Sequence, residues 1–316
     1  MKLLIFGLCV VVAIGSKGAL ANSWQPSAGH TQVPIWPAAV PDSHPVAGSE
    51  TVKTTSPDDY VAGRPYLWVE RVSQPTMTVY SPQGKNTGVA VVVFPGGGYQ
   101  GLAIDLEGSE VCDWLTGNAI TCVLLKYRVP FSGPYWDKKC KCHVDPAPMA
   151  LEDAQRTVGL VRFHAAEWHI DPHKVGVLGF SAGGHMAADI GTHFDKRSYP
   201  AVDAADNESC CPDFAVALYP GHLWPYTANT FELNPAIPVT GKTPPTFLLQ
   251  NEDDNVDPVE NSLVYYIALK KAGVPVEMHL YAQGGHGFGL RRTKLPVTAW
   301  PRLVETWLGT IGMISK

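Results

Sequence analysis

The 316-residue sequence carries little charge and, beyond its first residues, no long apolar run. Asp, Glu, Lys and Arg together make up 17% of it, the formal net charge is −5, and no basic stretch stands out. That balance argues against nucleic acid and against an anionic membrane as partners. After residue 21 no stretch reaches the ~18 apolar residues of a membrane-spanning helix. Internal repeats and long linkers are also missing, so one domain with one large core is expected. The short knuckle Cys140-Lys141-Cys142-His143 has no second Cys/His pair of matching spacing, and no metal site is expected.

What is present begins with a leader. Lys2 supplies a positive start, 3–14 is an apolar run of signal-peptide length, and Ala19-Leu20-Ala21 fits a small-x-small cleavage site. Residues 1–21 are therefore expected to be removed and the chain to be secreted, extracellular or periplasmic. Export makes disulfides possible for Cys112, Cys122, Cys140, Cys142, Cys210 and Cys211. The pairs 140/142 and 210/211 lie in loop-like segments and are expected to staple those segments together. Cys112 and Cys122 occupy core-like positions and are expected to be free.

Residues 22–60, rich in Pro, Ser and Ala, read as an extended N-terminal arm anchored by Trp24 and Trp36, ahead of a domain over 61–316. Strands are expected at 76–80, 88–94, 120–127, 175–178, 214–219, 246–250 and 276–281. Helices are expected at 111–115, 153–168, 258–272 and 300–308, with another starting at 184–188. The run GVAVVVF over 88–94 has the β-branched continuity of a strand buried on both faces. Strands alternating with helices imply a mostly parallel central sheet flanked by helices, an α/β fold.

The chain is organised around KVGVLGFSAGGHMAAD, 174–189, where a buried strand meets a small-residue helix across Gly179-Phe180-Ser181-Ala182-Gly183. A serine at so tight a turn is forced outward. Its flanking glycines are needed because a Cβ would clash where the elements approach, and backbone N–H groups are aimed at whatever the serine attacks. Upstream, Pro95-Gly96-Gly97-Gly98-Tyr99 closes a central strand with bare backbone, so the N–H of Gly97 or Gly98, or of Tyr99, and that of Ala182 are candidate oxyanion donors. A serine alcohol also needs a base, and the base an orienting carboxylate. His286 sits between Gly284-Gly285 and Gly287 after one strand, and Asp253, Asp254 and Asp257 follow another. Asp254 is preferred, although charge alone does not separate the three. His30, His44, His164, His169, His173 and His193 read as surface or structural residues. His185 is expected to cap or pack, and His222 is placed to line the pocket. Phe131, Tyr135, Trp136, Trp224 and Tyr226 serve equally as a pocket wall or as cover for the sheet edge.

With these motifs in hand, the chain resembles the α/β-hydrolase superfamily, and within it the small secreted esterases related to acetyl xylan esterases and dienelactone-hydrolase-like enzymes. The resemblance runs from about Gly29 to the C-terminus through FPGGGYQGLAIDLEG, LLKYRVP, ALEDAQRTVGLVRFHAAEW, GFSAGGH, DDNVDPVENS and GGHGFGLR. In such enzymes the acid precedes an x-V-x-P turn, which implies Asp254, while Asp257 stands where Val is more usual. The resemblance implies a triad of Ser181, Asp254 and His286, an oxyanion hole of Gly97, Gly98 and Ala182, and no cofactor. It implies deacetylation of xylan or xylo-oligosaccharides, with a feruloyl or other aromatic carboxylesterase as the alternative. A peptidase of the prolyl-oligopeptidase kind would need room for a gating domain, and a lipase an amphipathic lid. A non-catalytic hydrolase-like binding protein would be expected to lack a triad member, and none is lacking.

Overall fold

The computed structural model describes residues 23–44, 48–132, 135–137, 141–225 and 230–315. The leader expected at 1–21 and Tyr226 fall outside them. In chain order the strands are β1 Gln32–Pro34, β2 Thr51–Thr54, β3 Leu67–Glu70, β4 Thr76–Tyr80, β5 Ala90–Phe94 and β6 Gly101–Ala103. Helix α1, Glu110–Gly117, precedes β7 Thr121–Lys126 and the hairpin strands β8 Tyr135–Asp137 and β9 Cys142–Val144. Then come α2 Ala147–Phe163, β10 Val175–Phe180, α3 Ala182–Ile190, β11 Ala215–Leu218 and β12 Thr246–Asn251. Helix α4 Glu260–Lys271, β13 Val276–Tyr281 and α5 Trp300–Thr310 complete the chain.

Eight strands form one sheet in the order β1-β4-β7-β5-β10-β11-β12-β13. The pairs β1–β4 and β4–β7 are antiparallel and all others parallel. Strands β5, β7, β10, β11 and β12 are buried at every position, which is why they read as largely apolar runs, with polar residues confined to the ends of β7 and β12. From β5 the chain crosses through α1 to β7 on one side, then returns through α2 to β10 on the other. With right-handed crossovers that reversal puts α1 and α2 on opposite faces of the sheet and opens a crevice between the ends of β5 and β10. Helix α5 joins α1: the Trp114 and Trp300 rings stand 5.3 Å apart, and Trp114 Nε1 donates to Glu305.

The 22–60 segment takes part in the architecture. β1 is an edge strand of the main sheet, and β2 joins β3 and β6 in a separate three-stranded antiparallel sheet. Trp24 and Trp36 are both buried, and Trp36 Nε1 donates to Asp153 Oδ1 at 2.8 Å. Arg128 ties this segment to α2, donating to the Pro41 carbonyl, to Glu152 and to both oxygens of Asp153. The guanidinium charge is thereby paired inside the protein, and burial raises the pKa of both carboxyl groups around it.

Three expectations are corrected by the structure. Cys112 and Cys122 are bonded to each other, with Cα atoms 5.1 Å apart, because the right-handed crossover lays α1 back over β7 and brings two buried side chains face to face. The 140/142-to-210/211 staple does not exist: Cys210 and Cys211 are free thiols, and Cys142, although disulfide-bonded, is bonded to neither. The helix expected at 153–168 starts earlier, at Ala147, and ends at Phe163, leaving Trp168 in the turn beyond. Among the described residues no helix is long and apolar enough to cross a membrane.

Candidate active site

The turn between β10 and α3 is a single residue. β10 runs through Phe180, α3 starts at Ala182, and Ser181 alone reverses the backbone with φ 53° and ψ −119°. A non-glycine residue in that region carries strain of about 1–3 kcal/mol and persists only where its surroundings enforce it. Enforcement comes from close approach on both sides. A Cβ on Gly179 would stand 1.9 Å from the Gly183 carbonyl oxygen, and one on Gly183 would stand 2.1 Å from the carbonyl oxygen of Phe94 on β5. The glycines therefore let the strand, the helix and the neighbouring strand meet, and Ser181 is left at the crevice mouth.

The loops after β12 and β13 bring the remaining groups. Ser181 Oγ lies 2.9 Å from His286 Nε2, and His286 Nδ1 lies 2.8 Å from Asp254 Oδ2. A carboxylate only accepts, so the Nδ1 proton points to Asp254 and Nε2 is left to accept from the serine. The other Asp254 oxygen accepts from the N–H groups of Val256 and Asp257, each at 3.0 Å. The three aspartates thus have separate places. Asp253 accepts from the Gly284 and Gly285 N–H groups and fastens one loop to the other. Asp257 sits on the opposite side of the imidazole from Asp254, 3.3 Å from Ser181 Oγ and 3.7 Å from His286 Nε2.

Electrostatics follows from this packing. Burial alone would lower the His286 pKa, but the Asp254 hydrogen bond and charge, with Asp257 and Glu107 adding, raise it above the ordinary histidine value. Glu107 lies beneath the site, accepting from Gly96 N at 2.8 Å and from the Tyr219 hydroxyl at 2.8 Å. Burial raises its pKa against the pull of those donors and of His286.

Gly97 and Gly98 follow β5 with φ of 143° and 60°. Among the described residues, the N–H groups of Gly97, Gly98 and Ala182 have no hydrogen-bond partner, whereas that of Gly96 is taken by Glu107. Ala182 follows Ser181 directly at the start of α3, and Gly97 and Gly98 border a cavity of about 420 Å³ that Ser181 and His286 also line. Its walls include Tyr66, Trp68, Gln100, Glu107, Val256 and Asp257, and His222 also lines it. The aromatic wall comes from the small sheet, with Trp68 on β3 packed over the Gly97–Gly101 turn. Phe131 and Trp224 do not line this cavity, and the Tyr135 and Trp136 side chains fall outside the described residues. Tyr66, Trp68 and Glu107 are site residues that the sequence left unmarked. Glu107 shares its stretch with a second carboxylate, Asp105, so charge alone does not single it out.

His185, expected to cap or pack, is buried and hydrogen-bonded to the Tyr99 hydroxyl at 2.7 Å. A second cavity of about 340 Å³, bounded by Tyr99, His185 and Asp189, adjoins the first at His222. Among the described residues no cluster of three or more His, Cys, Asp or Glu side chains could hold a metal ion. A hydroxyl, an imidazole and a carboxylate in hydrogen-bonded series, beside convergent backbone donors, can carry out acyl transfer.

The Prolyl oligopeptidase family model matches residues 152–307, the stretch holding Ser181, Asp254 and His286, and the BD-FAE model matches residues 77–217. An acetylxylan esterase of Xylanibacter ruminicola is 30% identical over 225 residues, 67% of this chain and 43% of that protein. An endo-1,4-beta-xylanase B of Butyrivibrio fibrisolvens is 29% identical over 213 residues, 62% of this chain and 32% of that protein. The chain therefore spans less than half the length of either relative. The crystal structure of an acetyl ester-xyloside bifunctional hydrolase from Caldicellulosiruptor lactoaceticus is 33% identical. It covers 90% of this chain, is itself covered to 97%, and superposes with a TM-score of 0.69.

Proposed function

The chain belongs to the α/β-hydrolase superfamily, among its carbohydrate esterases, and we propose that it is a secreted serine esterase that deacetylates xylan or xylo-oligosaccharides through an acyl-enzyme. The observation that carries this reading is the unbroken series Ser181 Oγ, His286 and Asp254 at 2.9 and 2.8 Å, at the mouth of a cavity bordered by unpaired N–H groups. His286 Nε2 takes the serine proton as Oγ bonds to the acetyl carbonyl carbon, and the N–H groups of Ala182 and the Gly97–Gly98 loop hold the oxyanion. The carbon–oxygen bond to the sugar then breaks, and His286 returns the proton to the leaving alcohol. Water, deprotonated by His286, then attacks the acetyl-serine, the bond to Oγ breaks, and His286 returns the proton to Ser181 as acetate leaves. Asp254 keeps the imidazole in the tautomer this requires.

A cavity of about 420 Å³ suits a sugar ring with its acetyl group, leaving the rest of an oligosaccharide outside. Support for export comes from the leader-like start and from the Cys112–Cys122 bond, since disulfides persist in oxidising compartments. The test sets acetylated xylo-oligosaccharide beside methyl ferulate, with Ser181→Ala as control. Acetate release in preference, reduced at least ~10³-fold in the variant, is the expected outcome. Ferulate release in preference would move the substrate to aromatic esters lying against Trp68, and full activity in Ser181→Ala would overturn the mechanism.

A further inference from the structure

Asp257 is not used by the mechanism above, yet it stands at the reacting atoms. Its position is built. The backbone N–H is held by Asp254 Oδ1, the Gln250 side chain donates to its carbonyl, and Gly221 leaves open the space where a Cβ would stand 2.5 Å from Asp257 Oδ1. Being on the Nε2 side of the imidazole, it cannot orient His286 as Asp254 does. What it changes is the charge of the cavity. The carboxylates among the lining residues are Asp257 and Glu107, the basic groups are the imidazoles of His222 and His286, and there is no lysine or arginine. A substrate's carbonyl carbon must come within bonding distance of Ser181 Oγ, itself 3.3 Å from Asp257 Oδ2. An anionic group on a small ester therefore lies within about one screening length, ~10 Å, of that carboxylate.

We infer that Asp257 is a specificity-determining residue that admits neutral esters, such as acetylated polyols, and turns away esters whose acyl or alcohol part carries a negative charge. This rests on the serine-esterase part of the proposed function and not on the identity of the sugar.

Two acetyl esters that differ in one charge provide the test: methyl 3-acetoxybenzoate and 3-acetoxybenzoate. The kcat/KM ratio of neutral to anionic ester, corrected for their hydroxide-catalysed rates, is expected to be at least tenfold in the wild type at pH 8. Asp257→Asn is expected to narrow it at least fivefold. Val256→Lys, which places a cation on a residue 58% exposed at the cavity rim, is expected to narrow it as well and keeps the question answerable if the Asp257 variant does not fold. A ratio unchanged in both variants, or near one in the wild type, would overturn the inference. Failure of the wild type on both esters would instead overturn the esterase reading beneath it.

Discussion

Ser181 and His286 divide the chemistry through what surrounds each. The serine is presented by a backbone bent to φ 53°, and the histidine is made a stronger base by Asp254. Because the His286 pKa is raised, the imidazole stays protonated to a higher pH than usual, and a protonated base cannot take the serine proton. The acid limb of kcat/KM is therefore expected above the ordinary histidine range, with activity falling as pH falls through it. Asp254→Asn removes the dominant raising interaction and leaves burial, which lowers the pKa, opposed only by the smaller pull of Asp257 and Glu107. A pH–rate profile should show the limb moving to lower pH while the maximum falls by orders of magnitude, and a limb that stays in place would sink this account. At this scale much of the candidate site was legible, since glycines beside a serine and a histidine are local features of the chain. The three aspartates were not separable by charge, because what sorts them is placement: Asp254 and Asp257 meet opposite sides of the imidazole, and Asp253 meets the backbone of the loop that carries it. Glu107 was not singled out because it serves from beneath, through Gly96 and through Tyr219, the latter 112 residues away in sequence.

Among the elements, the strands buried on both faces could be read from their apolar runs, and the partly exposed β4 and β13 were foreseen as well. Strands β2, β3 and β6 escaped notice because they are short and the first two are only partly buried, so no period develops. Yet they carry Trp68 to the cavity. The cysteines failed for a related reason: Cys112 and Cys122 each look like a core residue of its own element, and only the crossover of α1 over β7 makes them neighbours. Their bond closes a short loop, with a separation of 10 residues. In the chain-entropy picture such a loop contributes about 2–3 kcal/mol. Replacing both by alanine should lower the urea midpoint by a corresponding amount, and alkylation with and without reductant should find Cys210 and Cys211 reactive before reduction once the chain is unfolded. A double variant with the wild-type midpoint would show that α1 and β7 hold together without the bond.

For the whole molecule, the alternation of strands and helices was enough to foresee a mostly parallel sheet, but not where the chain would reverse across it. That reversal, between β5 and β10, places the nucleophile on an interior strand, fifth of eight in the sheet order. The base hangs from the loop after β13, an edge strand, where Leu280 is exposed and, among the described residues, one side has no neighbouring strand. Centre and margin of a sheet do not open together: marginal segments exchange their amides and detach at lower free energy than the core. The enzyme should therefore fall silent before it unfolds. In a urea titration, ester hydrolysis is expected to disappear at concentrations where far-UV circular dichroism still reports an intact fold. Amide exchange should run faster along β13 than along β10. Coincident loss of activity and structure would mean instead that the edge and the centre form one cooperative unit, and that the base is as firmly held as the serine it serves.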